Sequence, residues 1–150
     1  MGNNKWGPSI WFFFHTLAEK IKEDKFEQYK YQLVGVIKNI CRALPCPDCS
    51  QHATSFWRKV NEHGIRDKND LRNLLFIFHN KVNVRTNKPL YPKEKLDIYK
   101  SNNVITAYNY FIKVYHTKGN MKLIGDSFQR NLIMKDTKEW LMKNIHIFDK

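Results

Sequence analysis

The chain has 150 residues, 42% hydrophobic and 14% aromatic, with 26 Lys+Arg against 14 Asp+Glu for a formal net charge of +12. At that length one domain spanning 1–150 is the expectation, with a core large enough to need neither disulfide staples nor a structural metal. A mean hydropathy of −0.61 and the aromatic content exclude a membrane-embedded protein and a disordered basic tail.

Ile10, Phe14, Leu17, Ala18 and Ile21 recur at three-and-four spacing and predict an amphipathic helix over about 8–23, with Pro8 in its first turn. A stripe of Leu33, Val34, Ile37, Ile40, Cys41 and Leu44 predicts a second helix that stops at Pro45. Pro47 opens a third, carrying Cys49, Ala53, Phe56, Trp57 and Val60 and ending near Gly64. Asp67 or Asp70 caps a fourth, with Leu71, Leu74, Leu75, Phe78 and Val82 buried, and this helix ends before Pro89.

Residues 93–116 carry Leu96, Tyr99, Val104, Tyr108, Phe111, Ile112 and Tyr115, with Asn102-Asn103 as a break between two pieces. Residues 117–128, containing Gly119 and Gly125, read as loop, and Asp136 or Thr137 starts a last short helix through Trp140, Leu141 and Ile145. Alternating strands, repeats and linkers are not evident. The fold class is therefore all-α, with the first four helices as a bundle. The longest apolar run is too short to span a membrane, and the first residues lack the charged-then-apolar order of a secretory signal.

Cys41, Cys46 and Cys49 fall within nine residues, a reactive or metal-binding arrangement rather than a disulfide framework. Cys46-Pro47-Asp48-Cys49 at a helix start can close a disulfide across one turn, and the helix N-terminus lowers the pKa of whichever sulfur points at it. Three other readings stay open at this point. One is half a zinc site completed by Cys41, His52 or His63. Another is a thioredoxin-like motif, which needs a βαβ context that the chain lacks. The last is a buried apolar pair, against which the flanking prolines and Asp48 speak.

His79-Asn80-Lys81-Val82-Asn83 puts His79 and Asn83 on one helix face, with Arg85 and Lys88 at the helix end suited to a phosphate. A flat heteroaromatic ligand with a diphosphate suits this set, as does a helix junction lined by satisfied polar groups. Trp11 and His15, four apart, can flank a planar ring or pack in the core. The spread positive charge reads as solubility, or as a surface for nucleic acid or another polyanion.

In this order the residues resemble the Erv/ALR family of FAD-dependent sulfhydryl oxidases. The pattern is Gly7, Trp11 and His15, then Cys46 and Cys49, then His79-Asn80-Lys81-Val82-Asn83 with Lys88-Pro89. The match spans about 5–100. Trp6-Gly7-Pro8 together with Leu44 to Ala53 is most similar to the versions of large cytoplasmic DNA viruses. The resemblance implies a four-helix bundle holding FAD, a short fifth helix and usually a homodimer; residues past about 105 are not covered by it and read as a C-terminal helical extension.

It also implies roles. Cys49 lies against the isoalloxazine as a thiolate in charge-transfer contact, and Cys46 exchanges with the substrate dithiol. Gly7, Trp11 and His15 hold FAD with His52 nearby. His79, Asn80, Val82, Asn83 and Lys88 grip its adenine, ribose and diphosphate, with Tyr91 and Tyr99 as aromatic contacts. The partners implied are molecular oxygen and a dithiol protein, substrate or relay, of thioredoxin-like or small Cys-x-x-Cys type. A viral member would work in the host cytoplasm or a viral factory, or be packaged in the virion. Family members often carry a second, shuttle Cys-x-x-Cys and a distant structural disulfide; with three cysteines this chain has neither, and Cys41 reads as a buried apolar thiol.

Overall fold

The computed structural model describes residues 6–115 and 124–150. Helix α1 spans Trp6–Lys20, α2 Glu23–Arg42, α3 Pro47–Arg58 and α4 Lys68–Arg85, followed by α5 Val104–Tyr115 and α6 Ile124–Lys143. Short 3-10 stretches cover Glu62–Gly64, Lys93–Ser101 and Ile145–Ile147. Among the described residues the extended structure is one antiparallel bridge, Ile21 with Phe148. No helix among them is long and apolar enough to cross a membrane.

Local signals set the boundaries. Asp67 is the cap of α4, its carboxylate accepting the Asp70 N–H at 2.8 Å. Asn103 starts α5 by accepting from the Ile105 and Thr106 N–H groups at 2.8 and 3.2 Å. Thus Asn102-Asn103 does divide the 93–116 stretch. Glu23 and Asp24 in the first turn of α2 and Arg42 in its last complement the helix dipole.

Two expectations are corrected. Helix α1 is buried on nearly every side rather than amphipathic, because it runs between α4 and α5. Phe13 stacks on Phe111 with centroids 5.0 Å apart at 12°, and Trp11 meets Phe78 edge-on at 5.1 Å. The last helix starts at Ile124 rather than Asp136 or Thr137, so residues 124–128 of the expected loop are helical. Its apolar residues are scattered around the axis and give no periodic stripe. The remainder of that loop, 117–123, lies outside the described residues.

One buried cluster takes side chains from Trp6 in α1 through Leu141 in α6 to Phe148. Charges inside it are matched. Glu19 pairs with Arg72, which also reaches Asp97 at 2.9 Å. Lys30 donates to the Ile65 carbonyl at 2.7 Å, and Lys68 to those of Glu19 and Ile21 at 2.8 Å.

Candidate active site

The two neighbouring cysteines sit at the N-terminal end of α3. Cys46 is the N-cap, extended at φ −131°, ψ 110°, and its Sγ accepts the Cys49 N–H at 3.3 Å. Pro47, at the first helical position, has no N–H to satisfy. Ser50 Oγ accepts the Leu44 N–H at 2.7 Å and so ties the preceding turn to the helix. Cys46 is half-buried and Cys49 buried, which makes one an outer and the other an inner sulfur.

The sulfur that points at the helix start is thus Cys46. The Cys49 thiol is pushed up, first by burial and then by its hydrogen bond with Cys46, while Arg85 pulls it down. Arg85 is placed by a contact to Asp48 Oδ2 at 3.2 Å, which links the end of α4 to the first turn of α3.

Cys49 walls a narrow apolar slot of about 20 Å³, room for about one water. Gly7 and Trp11 of α1 and Phe78 and Val82 of α4 form other walls, and the third cysteine, Cys41, lines the same slot. Burial pushes the Cys41 thiol far up, so it stays protonated.

From the slot a column of planar rings runs along α1 and α4. Trp11 stacks on His79 at 4.1 Å and 8°, and His79 on Tyr91 at 4.5 Å and 23°. His15 joins from the side, with Nε2 2.9 Å from His79 Nδ1 and its ring 5.0 Å from Tyr99. The Tyr91 and Tyr99 hydroxyls are 3.3 Å apart. Burial lowers both imidazoles, His15 to about 3 and His79 to about 4, so both are neutral and one donates to the other.

Asn80 and Asn83 fasten the loop that follows α4. Asn80 donates to the Tyr91 carbonyl at 3.2 Å and accepts the Tyr91 N–H at 2.6 Å. Asn83 donates to the Pro89 carbonyl at 3.0 Å, and the Lys88 N–H returns to the Asn83 carbonyl at 2.7 Å. Asn87, with φ 61°, makes the left-handed turn between them. The exposed Lys88 side chain lies close enough to His79 to help keep that imidazole neutral.

A second, wider cavity of about 680 Å³ lies between α3 and α4 and shares Phe78, Val82 and Arg85 with the slot. His52, Phe56, Lys59 and Lys81 line it, and the buried Oδ1 of Asn73 faces no hydrogen-bond partner. His52 is exposed, 3.7 Å from Asp48, and stands apart from the ring column. The other sequence-predicted residues converge: Gly7, Trp11, Cys49 and Val82 on the slot, His15, His79, Tyr91 and Tyr99 in the column, and Asn80, Asn83 and Lys88 at its far end. Cys46 is the accessible sulfur beside them.

Phe78 and Phe56 were not among the predicted site residues, and Arg85, expected only to suit a phosphate, also stands beside Cys49. Their signal is helical spacing: Phe78, Val82 and Arg85 fall four and three apart on one face of α4. The zinc arrangement finds no geometry, for no group of three or more His, Cys, Asp or Glu among the described residues is placed to hold a metal. His63 is occupied by the Tyr31 hydroxyl at 2.8 Å.

The sequence model of the Erv1 / Alr family matches residues 8–102. The chain is 34% identical over 85 residues to the FAD-linked sulfhydryl oxidase of African swine fever virus (isolate Tick/Malawi/Lil 20-1/1983), covering 57% of this chain and 71% of that one. It is 31% identical over 100 residues to the Probable FAD-linked sulfhydryl oxidase FPV093 of Fowlpox virus (strain NVSL), covering 67% and 95%. No solved structure matches.

Proposed function

The chain belongs to the Erv1 / Alr family, and from that premise we propose that it is an FAD-dependent thiol oxidase acting through Cys46 and Cys49. The observation that carries the reading is the sulfur pair at the start of α3, with its inner member on a slot walled by Gly7, Trp11 and Val82.

The residues fit FAD. Trp11 walls the slot beside the inner sulfur and heads a column of rings stacked 4.1–4.5 Å apart, a planar aromatic surface that suits a flat heteroaromatic system. Arg85, Lys81 and Lys59 on the adjoining cavity suit a diphosphate, and the unpartnered Asn73 Oδ1 awaits a donor. Gly7, Trp11, His15, His79, Val82, Tyr91 and Tyr99 would hold the cofactor's rings, while Asn80, Asn83 and Lys88 keep the loop beside them. His52 belongs to the α3–α4 cavity. The chemistry FAD supplies when bound is two-electron: it accepts the pair from the reduced cysteines and passes it to molecular oxygen, giving hydrogen peroxide.

The chain's own part is thiol–disulfide exchange. A substrate thiolate attacks Cys46 of the Cys46–Cys49 disulfide, forming a mixed disulfide and releasing Cys49 as thiolate. The substrate's second thiolate then attacks its own sulfur in that bond, leaves as a disulfide and frees Cys46. The Cys49 N–H donates to the Cys46 sulfur at the start of α3, and Arg85 offsets the cost of burying negative charge on Cys49. The net reaction turns two thiols and one oxygen molecule into a disulfide and hydrogen peroxide.

The reading takes residues 1–150 as one oxidase domain, working as a homodimer in a cytoplasm that otherwise keeps thiols reduced. Its electrons come from a dithiol protein, a thioredoxin-like or small Cys-x-x-Cys relay. Purified protein is expected to be yellow and to consume oxygen with dithiothreitol. A colourless protein expressed with excess FAD, inert toward dithiothreitol, defeats the proposal.

A further inference from the structure

We infer that the groove between α2 and α3 is the docking site for an acidic segment of the dithiol-bearing partner, placed within about six residues of its reactive cysteine; this rests on the oxidase reading above. Two concavities on that face, about 470 and 400 Å³, meet at Arg42, Thr54 and Arg58. The smaller reaches Ser50 and Gln51, the residues directly after Cys49. The groove thus starts in the first turns of α3, one residue on from Cys49, and runs along the helix toward Arg58.

Its charge is positive and available. Arg42 and Arg58 are exposed, and neither meets a carboxylate among the described residues. Arg42 donates to Asn39 on its own helix. The acids near the groove are already engaged: Glu62 with Lys38 at 2.8 Å, and Asp48 with Arg85. Lys30, Lys68 and Arg72, by contrast, are consumed by carbonyls and carboxylates of the fold. Guanidinium groups flanked by the Ser50, Thr54 and Ser55 hydroxyls and the Gln51 amide suit carboxylates on an extended chain.

The dimensions agree. At 1.5 Å rise per residue, the twelve steps of α3 from Cys46 to Arg58 cover about 18 Å, which five or six extended residues span at about 3.3 Å each. Arg42 lies nearer the sulfurs, at the last turn of α2. A partner with its thiol at Cys46 therefore lays its next few residues over both arginines. Such contacts raise the encounter rate and the specificity for this partner over a small thiol.

The test uses the full chain and synthetic peptides carrying a Cys-x-x-Cys followed by a run of Asp and Glu, or by Gln and Asn. Fluorescein-labelled versions with both cysteines replaced by serine report binding by anisotropy. The acidic peptide is expected to bind about tenfold tighter than the neutral one, and to lose that advantage between about 50 and about 300 mM salt. Arg42→Ala with Arg58→Ala should remove it at low salt and lower kcat/KM for the acidic dithiol peptide by a similar factor. Dithiothreitol oxidation and the melting temperature should stay as in the parent.

Equal binding of the two peptides, or undiminished acidic-peptide binding by the double variant, overturns the inference. So does a single-stranded oligonucleotide that binds more tightly with the same arginine dependence, which would make the groove a nucleic-acid site. A parent protein that binds the acidic peptide yet leaves dithiothreitol unoxidised would refute the oxidase reading and leave the docking groove standing.

Discussion

Nε2 of His15 and Nδ1 of His79 lie 2.9 Å apart, joining α1 to α4 within a column of stacked rings. Both rings must be neutral there, because burial holds His15 at about 3 and His79 at about 4, below the ordinary 6.5. The unfolded chain therefore binds protons that the folded chain refuses. Stability is complete above about pH 6.5 and is lost as pH falls toward 4, by up to about 1.4 kcal/mol per pH unit for each histidine. Urea midpoints from pH 7 to 4.5 measure this. His79→Gln should flatten the slope, whatever it does to the absolute value; an unchanged slope would count against the assignment.

The three thiols should differ in reactivity. In the reduced native protein Cys46 is the only half-buried one, while Cys41 is buried and held protonated. A chromogenic disulfide reagent should modify Cys46 first and reach Cys41 only in denaturant. Cys46→Ser and Cys49→Ala should each stop oxygen consumption, whereas Cys41→Ala should retain it with a stability loss of about 1–2 kcal/mol for the shortened side chain. Fast native labelling of Cys41 would contradict its placement.

Arg85 opposes the burial that raises the Cys49 thiol. Removing it in Arg85→Ala should move the acidic limb of the pH–rate profile to higher pH, with about a tenfold loss at fixed pH for each unit moved. Arg85→Lys keeps the charge and should recover part of the loss. A profile that drops without moving would assign Arg85 to packing or cofactor binding alone.

Asn80 makes two hydrogen bonds to one residue, taking the N–H and the carbonyl of Tyr91. Asn80→Ala should cost about 1–3 kcal/mol and release the loop that sets Tyr91 against His79. The flavin content of the purified variant should fall with it. Asn80→Asp keeps the acceptor for the Tyr91 N–H and should fall less on both measures. Full flavin occupancy with an unchanged melting temperature in Asn80→Ala would refute this role.

Punctuation in the sequence is read well where a local residue does the work: a cap at Asp67 or Asp70, Pro47 as a first-turn residue and Asn102-Asn103 as a break are all legible, and the structure settles the cap on Asp67. Burial from two directions is harder, since a helix with partners on opposite sides has no polar stripe, as α1 demonstrates. The first half of α6, before Asp136, escaped notice for the opposite reason, the helix's apolar residues being spread too thinly around the axis to show a period. Within the site, spaced residues on a single helix were visible in the chain. The clasp of Asn80 on Tyr91 and the reach of Arg85 toward Asp48 depend on how distant segments fold back, which local spacing does not encode.

The family match ends at residue 102, yet the molecule's interior does not. Leu141, Ile147 and Phe148 are buried in that same interior, with α6 packed on α2 and Phe148 bridged to Ile21. Lys22 N–H bonds to the Ile147 carbonyl at 2.8 Å, and Asp149 N–H to that of Lys20 at 2.7 Å. Anyone trimming the chain to its recognisable portion would unroof the junction of α1 and α2. A minimal expression fragment must therefore be drawn around the interior and run past Phe148.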